Sequence, residues 1–239
     1  MIDEGYIKYR CQWIKAEDPL APFLPDTAPH LITELSAYRN ALHQLDLIGE
    51  YPNGIGFGNL SQRLSQRLPS AQRSAPSSSP AFVITGTQTG RLTTLTAADY
   101  AVVSAFNAEQ NTLTCHGLRK ASSESLTHGI IYASQPAINA IVHVHSAQLW
   151  QRLLHQVPTT RADVPYGTPA MAAETQRLFR ESPLLQQKIL AMAGHDDGIV
   201  TFGENLQTAY QVLINWSLRV GQMAQPDAEF ALQLPDQRA

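Results

Sequence analysis

The stretch INAIVHVHSAQLW, residues 138–150, sets His143 and His145 one residue apart inside an otherwise apolar run. No other feature constrains the fold as tightly. A strand of buried character must sit within a sheet, and any polar ring it carries must find a partner there. Residues i and i+2 of a strand project to the same face, so both imidazoles point together and Val144 points the other way. Two imidazoles side by side pack poorly: each brings a nitrogen that must be satisfied, and protonating both would set like charges together. A divalent metal removes the conflict by taking the neutral nitrogens as ligands. The plainer alternative is two hydrogen-bonded histidines at a strand end, and a bare His-x-His pattern does not decide between them.

A metal needs a third donor, and candidates lie downstream in AMAGHDDGIVTFG, residues 191–203. If that segment stays extended, His195 and Asp197 share a face and Asp196 points away. A turn is the alternative, because Asp-Asp-Gly is common turn chemistry. In RKASSESLTHGIIY, residues 119–132, Ser122 or Ser123 can cap a helix whose first turn holds Glu124, with His128 four residues on along the same face. Such a helix start suits an anion, above all phosphate, and Glu124 would move a proton near the metal. The helix dipole alone also favours a glutamate there. Gly58 and Asn59 in GFGNLSQRL, and the bend ITGTQTGRL, offer further amides and hydroxyls, though glycine-rich turns also serve simple chain reversal. Neither fits a Walker A loop or the dinucleotide fingerprint.

The rest of the chain reads as alternating strands and helices. Leu31, Leu35, Tyr38, Leu42 and Leu45 recur at helical spacing, and Gly49 to Pro52 ends the pattern. AFVITG, YAVVSAF and NTLTCHG are strand-like, with NAEQN a turn between the last two. LPSAQRSAPSSSP, residues 68–80, reads as a mobile excursion between strands. AQLWQRLLHQ and PAMAAETQRLFRES are helical. KILAMAGHDDGIVTFG reads as two short strands joined across HDDG. ENLQTAYQVLINWSLRVGQMAQ is a closing helix, with Leu206, Tyr210, Leu213 and Trp216 on one face. KYRCQWIKAEDPLAPF suits packing along a surface or a neighbouring subunit, and DAEFALQLPDQRA carries no assignment. Strands without helical crossovers imply a single layered α/β domain whose sheet is mixed or mostly antiparallel.

Composition closes off several functions. A net charge of −3 over 239 residues gives no electrostatic case for nucleic acid or an anionic membrane. Two cysteines, Cys11 and Cys115, make no disulfide framework and no CxxC pair. No apolar run approaches a membrane span, and MIDEGYIKYR lacks the apolar core of a secretion signal, so a cytoplasmic location is expected.

Taken in order, GFGNLSQRL, ITGTQTGRL, ASSESLTHGIIYASQPAINAIVHVHS and GHDDGIVTFGENLQTAY resemble the class II aldolase and adducin family, over roughly residues 30 to 217. Ser-Ser-Glu, His128, Tyr132 and the His-x-His strand are the specific part. The resemblance implies a three-layer α/β/α domain with a central mixed, mostly antiparallel sheet. It would span residues 29–225, between an N-terminal extension (1–28) and a C-terminal tail (226–239). It also implies a homotetramer and a divalent metal, zinc first. His143 and His145 match the paired ligands and Glu124 the acid/base. Gly58, Asn59, Thr89, Gly90, Ser122 and Ser123 match the substrate-phosphate cradle. The TGTQTG bend is longer than usual, so Thr85–Gly86 or Thr87 could replace Thr89–Gly90.

Two departures bear on chemistry. Many members carry histidine directly before the third-ligand glycine, whereas Asp197 precedes Gly198 here and His195 lies two residues earlier. His195 is the expected third ligand and Asp197 the alternative. LLHQVPTTRADVPYGTP is short, and Tyr166 matches a later family position than the tyrosine acid of the sugar-phosphate aldolases. The implied activity is metal-dependent aldol cleavage of a small sugar phosphate or related hydroxy-carbonyl compound through a metal-stabilised enediolate. Epimerisation, dehydration and decarboxylation share that intermediate. A non-catalytic adducin-like assembly protein is the rival within the family, and His143, His145 and Glu124 argue against it. The AQLWQ that follows HVHS lacks the Asp-His of a metallo-β-lactamase-type site, and long amphipathic helices disfavour a cupin barrel.

Overall fold

Side-chain alternation along the central strands splits the apolar residues into two cores on opposite faces of one sheet. A computed structural model describes residues 6–20, 23, 28–64, 79–233 and 235 of the chain. In order, the strands are β1 (Arg10–Ile14), β2 (Gly49–Glu50), β3 (Gly56–Phe57), β4 (Asn59–Arg63), β5 (Phe82–Thr85), β6 (Tyr100–Asn107), β7 (Thr112–His116), β8 (Ala140–His145), β9 (Ile189–Ala191) and β10 (Gly198–Gly203). The helices are α1 (Ala28–Gln44), α2 (Ser125–Ser134), α3 (Ala147–Leu153), α4 (Pro169–Glu181), α5 (Leu184–Gln187), α6 (Leu206–Arg219) and α7 (Gln225–Gln233). Eight strands form the main sheet in the order β1-β7-β6-β5-β4-β8-β10-β9, while β2 and β3 pair separately. Among the described residues every ladder of the main sheet is antiparallel except that of β1 with β7.

One face buries Val83, Val102, Val142 and Val144 under α1 and α6, through Leu35, Leu42, Leu206 and Leu213. The other buries Ile84, Val103, Ile141 and Val200 under α2 and α4, through Leu126, Ile131, Met171 and Leu178. Each fully buried aliphatic side chain contributes about 1.5–3 kcal/mol, so both helical layers hold the sheet. This is the expected three-layer α/β/α arrangement around a mixed, mostly antiparallel sheet. Every residue of β8 is buried, because the strand lies inside the sheet with helices over both faces.

Several elements differ from expectation. Helix α1 stops at Gln44, and Asp46 turns the chain at φ 55° before the β2–β3 hairpin. Residues 10–14, given no strand from the sequence, form the parallel edge strand β1. The closing helix breaks after Arg219 at Gly221 (φ 70°), and part of the unassigned tail forms α7, pinned by Tyr210 Oη donating to the Ala231 carbonyl at 2.8 Å. The excursion expected at 68–80 lies outside the described residues except for Ser79 and Pro80. No helix among the described residues is long and apolar enough to cross a membrane.

Candidate metal centre

Strand β8 runs between β4 and β10, with His143 opposite Asn59 on one side and Val200 on the other, and His145 opposite Gly198. Strand parity puts both imidazoles on the α2/α4 face, with ring centroids 4.7 Å apart. His195 arrives from the connection between β9 and β10. That connection is a turn, not an extended strand: the His195 N–H bonds to the Met192 carbonyl and the Gly198 N–H to the His195 carbonyl. Asp197 takes φ 65° at its end, and Asp196 is exposed. Strand parity therefore does not explain why His195 faces the pair. Closure of the turn does, helped by Gly198, where a Cβ would lie 3.1 Å from His195 Nδ1 and 3.3 Å from His143 Cε1. One ligand atom from each of His143, His145 and His195 lies within 4.8 Å of the others, and all three residues are buried. Asp197 is not in that group.

The hydrogen bonds assign the nitrogens. His143 Nδ1 lies 3.1 Å from the Ile199 carbonyl, which can only accept, so Nδ1 carries the proton and Nε2 the lone pair. His145 Nε2 approaches that lone pair at 3.0 Å, and its Nδ1 lies 2.8 Å from Tyr51 Oη. Without a cation, the set is satisfied when Tyr51 donates to His145 Nδ1 and His145 Nε2–H donates to His143. With one, Tyr51 can accept from Nδ1–H instead, freeing both Nε2 lone pairs for the same point. Burial, with mutual repulsion between the rings, holds His143 and His145 well below the usual histidine pKa, so both are neutral at pH 7. Three buried imidazoles that converge, His143 and His145 of them neutral, fit a divalent cation, and zinc is a common match for such a nitrogen set.

Glu124 is buried beside this cluster. Its Oε1 lies 3.9 Å from His195 Nδ1, and its Oε2 accepts from Thr127 Oγ1 at 3.0 Å. Helix α2 starts one residue later than the sequence suggests. Glu124, not Ser122 or Ser123, holds the N-cap position, and its side chain makes no capping bond. The carboxylate is thereby turned toward the histidines. His128, one turn on, sits in a buried network: its Nδ1 lies 2.7 Å from Ser61 Oγ, which lies 2.8 Å from Tyr132 Oη.

Gly58, Asn59, Thr89, Gly90, Ser122 and Ser123 line one small polar cleft beside the histidines. Of the alternatives in the longer bend, Gly86 and Thr87 line it too, whereas Thr85 is not among its lining residues. Gly58 sits at φ 75°, a left-handed position that a side chain would strain and where a Cβ would meet Ile48 at 2.7 Å. Asn59 Oδ1 is buried with no hydrogen-bond partner among the described residues, so its amide can turn its N–H2 to a ligand.

Sequence reasoning missed Arg39, Tyr51 and the contact at Tyr166. Arg39 is fully buried and donates to the Thr93, Thr89 and Gly90 carbonyls at 3.1, 3.0 and 2.8 Å. It anchors the back of the cleft loop and places a positive charge behind it. Its signal was available, since Arg39 lies four residues after Leu35 on the apolar face of α1. Tyr51 gave no signal, being brought in by the β2–β3 hairpin. Tyr166 stacks on His195 with centroids 4.3 Å apart, and Lys8 Nζ lies 3.8 Å from the Tyr166 ring centre.

Comparison with known proteins agrees with this geometry. The family described as Class II Aldolase and Adducin N-terminal domain matches residues 53–217. YgbL from Escherichia coli, described as a candidate aldolase/epimerase/decarboxylase, superposes with a TM-score of 0.57 at 17% identity over 87% of this chain and 100% of its own. A sugar-phosphate aldolase from Thermotoga maritima gives 0.55 at 18% identity, over 88% and 94%. An L-fuculose 1-phosphate aldolase gives 0.54 at 17%, over 85% and 95%. At these identities the structures establish the shared fold alone. The family match spans more than half of the chain, including the polar cleft, Glu124 and all three histidines, and the chain belongs to the class II aldolase and adducin family.

Proposed function

We propose that the chain is a metal-dependent lyase that cleaves a small phosphorylated hydroxy-carbonyl compound, a sugar phosphate, by a retro-aldol reaction. His143, His145 and His195 hold the cation, zinc by preference, leaving Asp197 as a turn residue. Bound there, the cation supplies Lewis-acid stabilisation of negative charge on the substrate's carbonyl and adjacent hydroxyl oxygens.

The chain's own residues do the rest. The cleft made by Gly58, Asn59, Thr89, Gly90, Ser122 and Ser123 receives the phosphate, with Arg39 behind it, and so fixes which carbon meets Glu124. Glu124, kept from bulk water and steadied by Thr127, accepts a proton from the reacting substrate and returns it to the product fragment. Tyr51 and the Ile199 carbonyl set the tautomers of His145 and His143. Epimerisation, dehydration and decarboxylation would use the same groups. We further propose a cytoplasmic homotetramer built on the domain at 29–225, with 1–28 and 226–239 as extensions.

One observation carries the reading: three buried imidazoles meet a buried carboxylate at the rim of a polar cleft. Hydroxyketone phosphates are to be screened for carbonyl fragments released by C–C cleavage, with water loss and epimer formation followed in parallel. Carbonyl release that needs added zinc and disappears in Glu124→Gln supports the reading. Zinc-dependent water loss or epimer formation without cleavage would overturn the aldol assignment.

A further inference from the structure

The two cysteines of the chain lie 104 residues apart in sequence, yet their sulfurs are 3.1 Å apart. Cys11 lies on edge strand β1 and Cys115 on its parallel neighbour β7, where Cys11 registers with Leu113 and Trp13 with Cys115. Both thiols are free, Cys115 buried and Cys11 half-buried. Cys11 also lines a surface groove with Arg10, Gln12 and Phe106, so a small molecule can reach it.

We propose that Cys11 and Cys115 form a reversible thiol–disulfide site, which takes a low-molecular-weight disulfide such as oxidised glutathione and fastens the N-terminal strand to the sheet edge. The Cys11 thiolate attacks one sulfur of the small disulfide, expelling one thiolate and leaving a mixed disulfide. Cys115 gives up its proton and attacks Cys11 Sγ, expelling the second thiolate. The protein loses two electrons and two protons; the small disulfide gains them and leaves as two thiols. The sulfurs need close only by about an ångström to reach the disulfide length of about 2.0 Å.

The order of attack follows from the surroundings. The hydrogen bond from Cys115 and the nearby Lys120 ammonium hold the Cys11 thiol below its usual pKa, against burial, while the same hydrogen bond and burial push Cys115 up. Cys11 is thus both the reachable thiol and the more nucleophilic one. The link has a path to the metal centre. Tyr9, two residues before Cys11, donates to the Ala121 carbonyl at 2.7 Å beside Ser122 and Ser123. Lys8 sits over Tyr166, which stacks on His195. Locking β1 therefore steadies the serine end of the cleft and the partner of one histidine.

The test uses the full chain treated with oxidised glutathione, alkylated and weighed intact. The expected main product is a monomer lighter by two hydrogens, without alkylatable thiols and fully restored by dithiothreitol. Amide exchange over residues 6–14 should slow in that product. Cys115→Ser should stop at a single glutathione adduct on Cys11, and Cys11→Ser should leave Cys115 unmodified. Two thiols still alkylated under conditions that oxidise a flexible dithiol peptide would overturn the proposal. A stable adduct on the wild-type chain, or disulfide-linked dimers as the main product, would overturn it as well. This readout is independent of metal and of turnover, so it stands or falls apart from the lyase reading.

Discussion

Acid should destabilise the protein through His128, and the size of the effect follows from its burial. Burial of His128 pushes its pKa from the usual 6.5 down to about 3. In the unfolded chain the ring returns to about 6.5. Below that value the unfolded state binds a proton that the native state refuses, so stability falls as the pH drops and levels off only near the native value. Each pH unit in that window costs about 1.4 kcal/mol, so moving from about pH 7.5 to about pH 5 costs about 2 kcal/mol from this ring alone. His128→Asn removes the titration while keeping an amide within reach of Ser61 Oγ. The variant starts less stable, having lost ring packing, but its deficit should shrink by about 2 kcal/mol over the same interval. Urea denaturation of both proteins after chelator treatment measures the gap at each pH. His143 and His145 titrate in both proteins and cancel in the comparison. A gap that does not change with pH would refute the claim that His128 is held neutral by burial.

Glu124→Gln should retain its metal and fold and lose about 10²–10⁴-fold in turnover, as expected when a proton carrier is removed, read from steady-state rates beside metal content. His195→Ala should lose metal while Asp197→Gly keeps it, since Asp197 supplies a left-handed turn position that glycine adopts freely; elemental analysis of both decides the third ligand. Arg39→Met leaves the buried Thr89 and Gly90 carbonyls and the part-buried Thr93 carbonyl without their donor, so chemical denaturation should show a loss of about 2–4 kcal/mol. Calorimetric titration of the same variant should show inorganic phosphate binding weakened about tenfold with metal content unchanged, a difference of about 1.4 kcal/mol.

Period-two patterning made β8 legible, because a strand buried on both faces has little freedom in where its side chains go. The same logic gave the right neighbour for a wrong local reason at His195. Parity along an extended strand put it beside the pair, whereas the structure brings it there by a turn ending in a left-handed Asp197. Glu124 was legible as a helix-start carboxylate, but its N-cap position, which aims it at His195, depended on where α2 begins. Edge strand β1 was not legible. Its residues RCQWI alternate only between exposed and half-buried, and it pairs with a strand about a hundred residues away. Arg39 marked itself by interrupting an apolar face. Its purpose emerged only once the Thr89–Gly90 loop folded over it.

The account rests on three imidazoles gripping one cation. Equilibrium dialysis of the purified chain against zinc, for wild type and His145→Ala together, tests it most directly. The expected result is one tight site per wild-type chain, lost in the variant while its circular dichroism stays native. Full stoichiometry in His145→Ala, or no tight zinc on a folded wild-type chain, would contradict it.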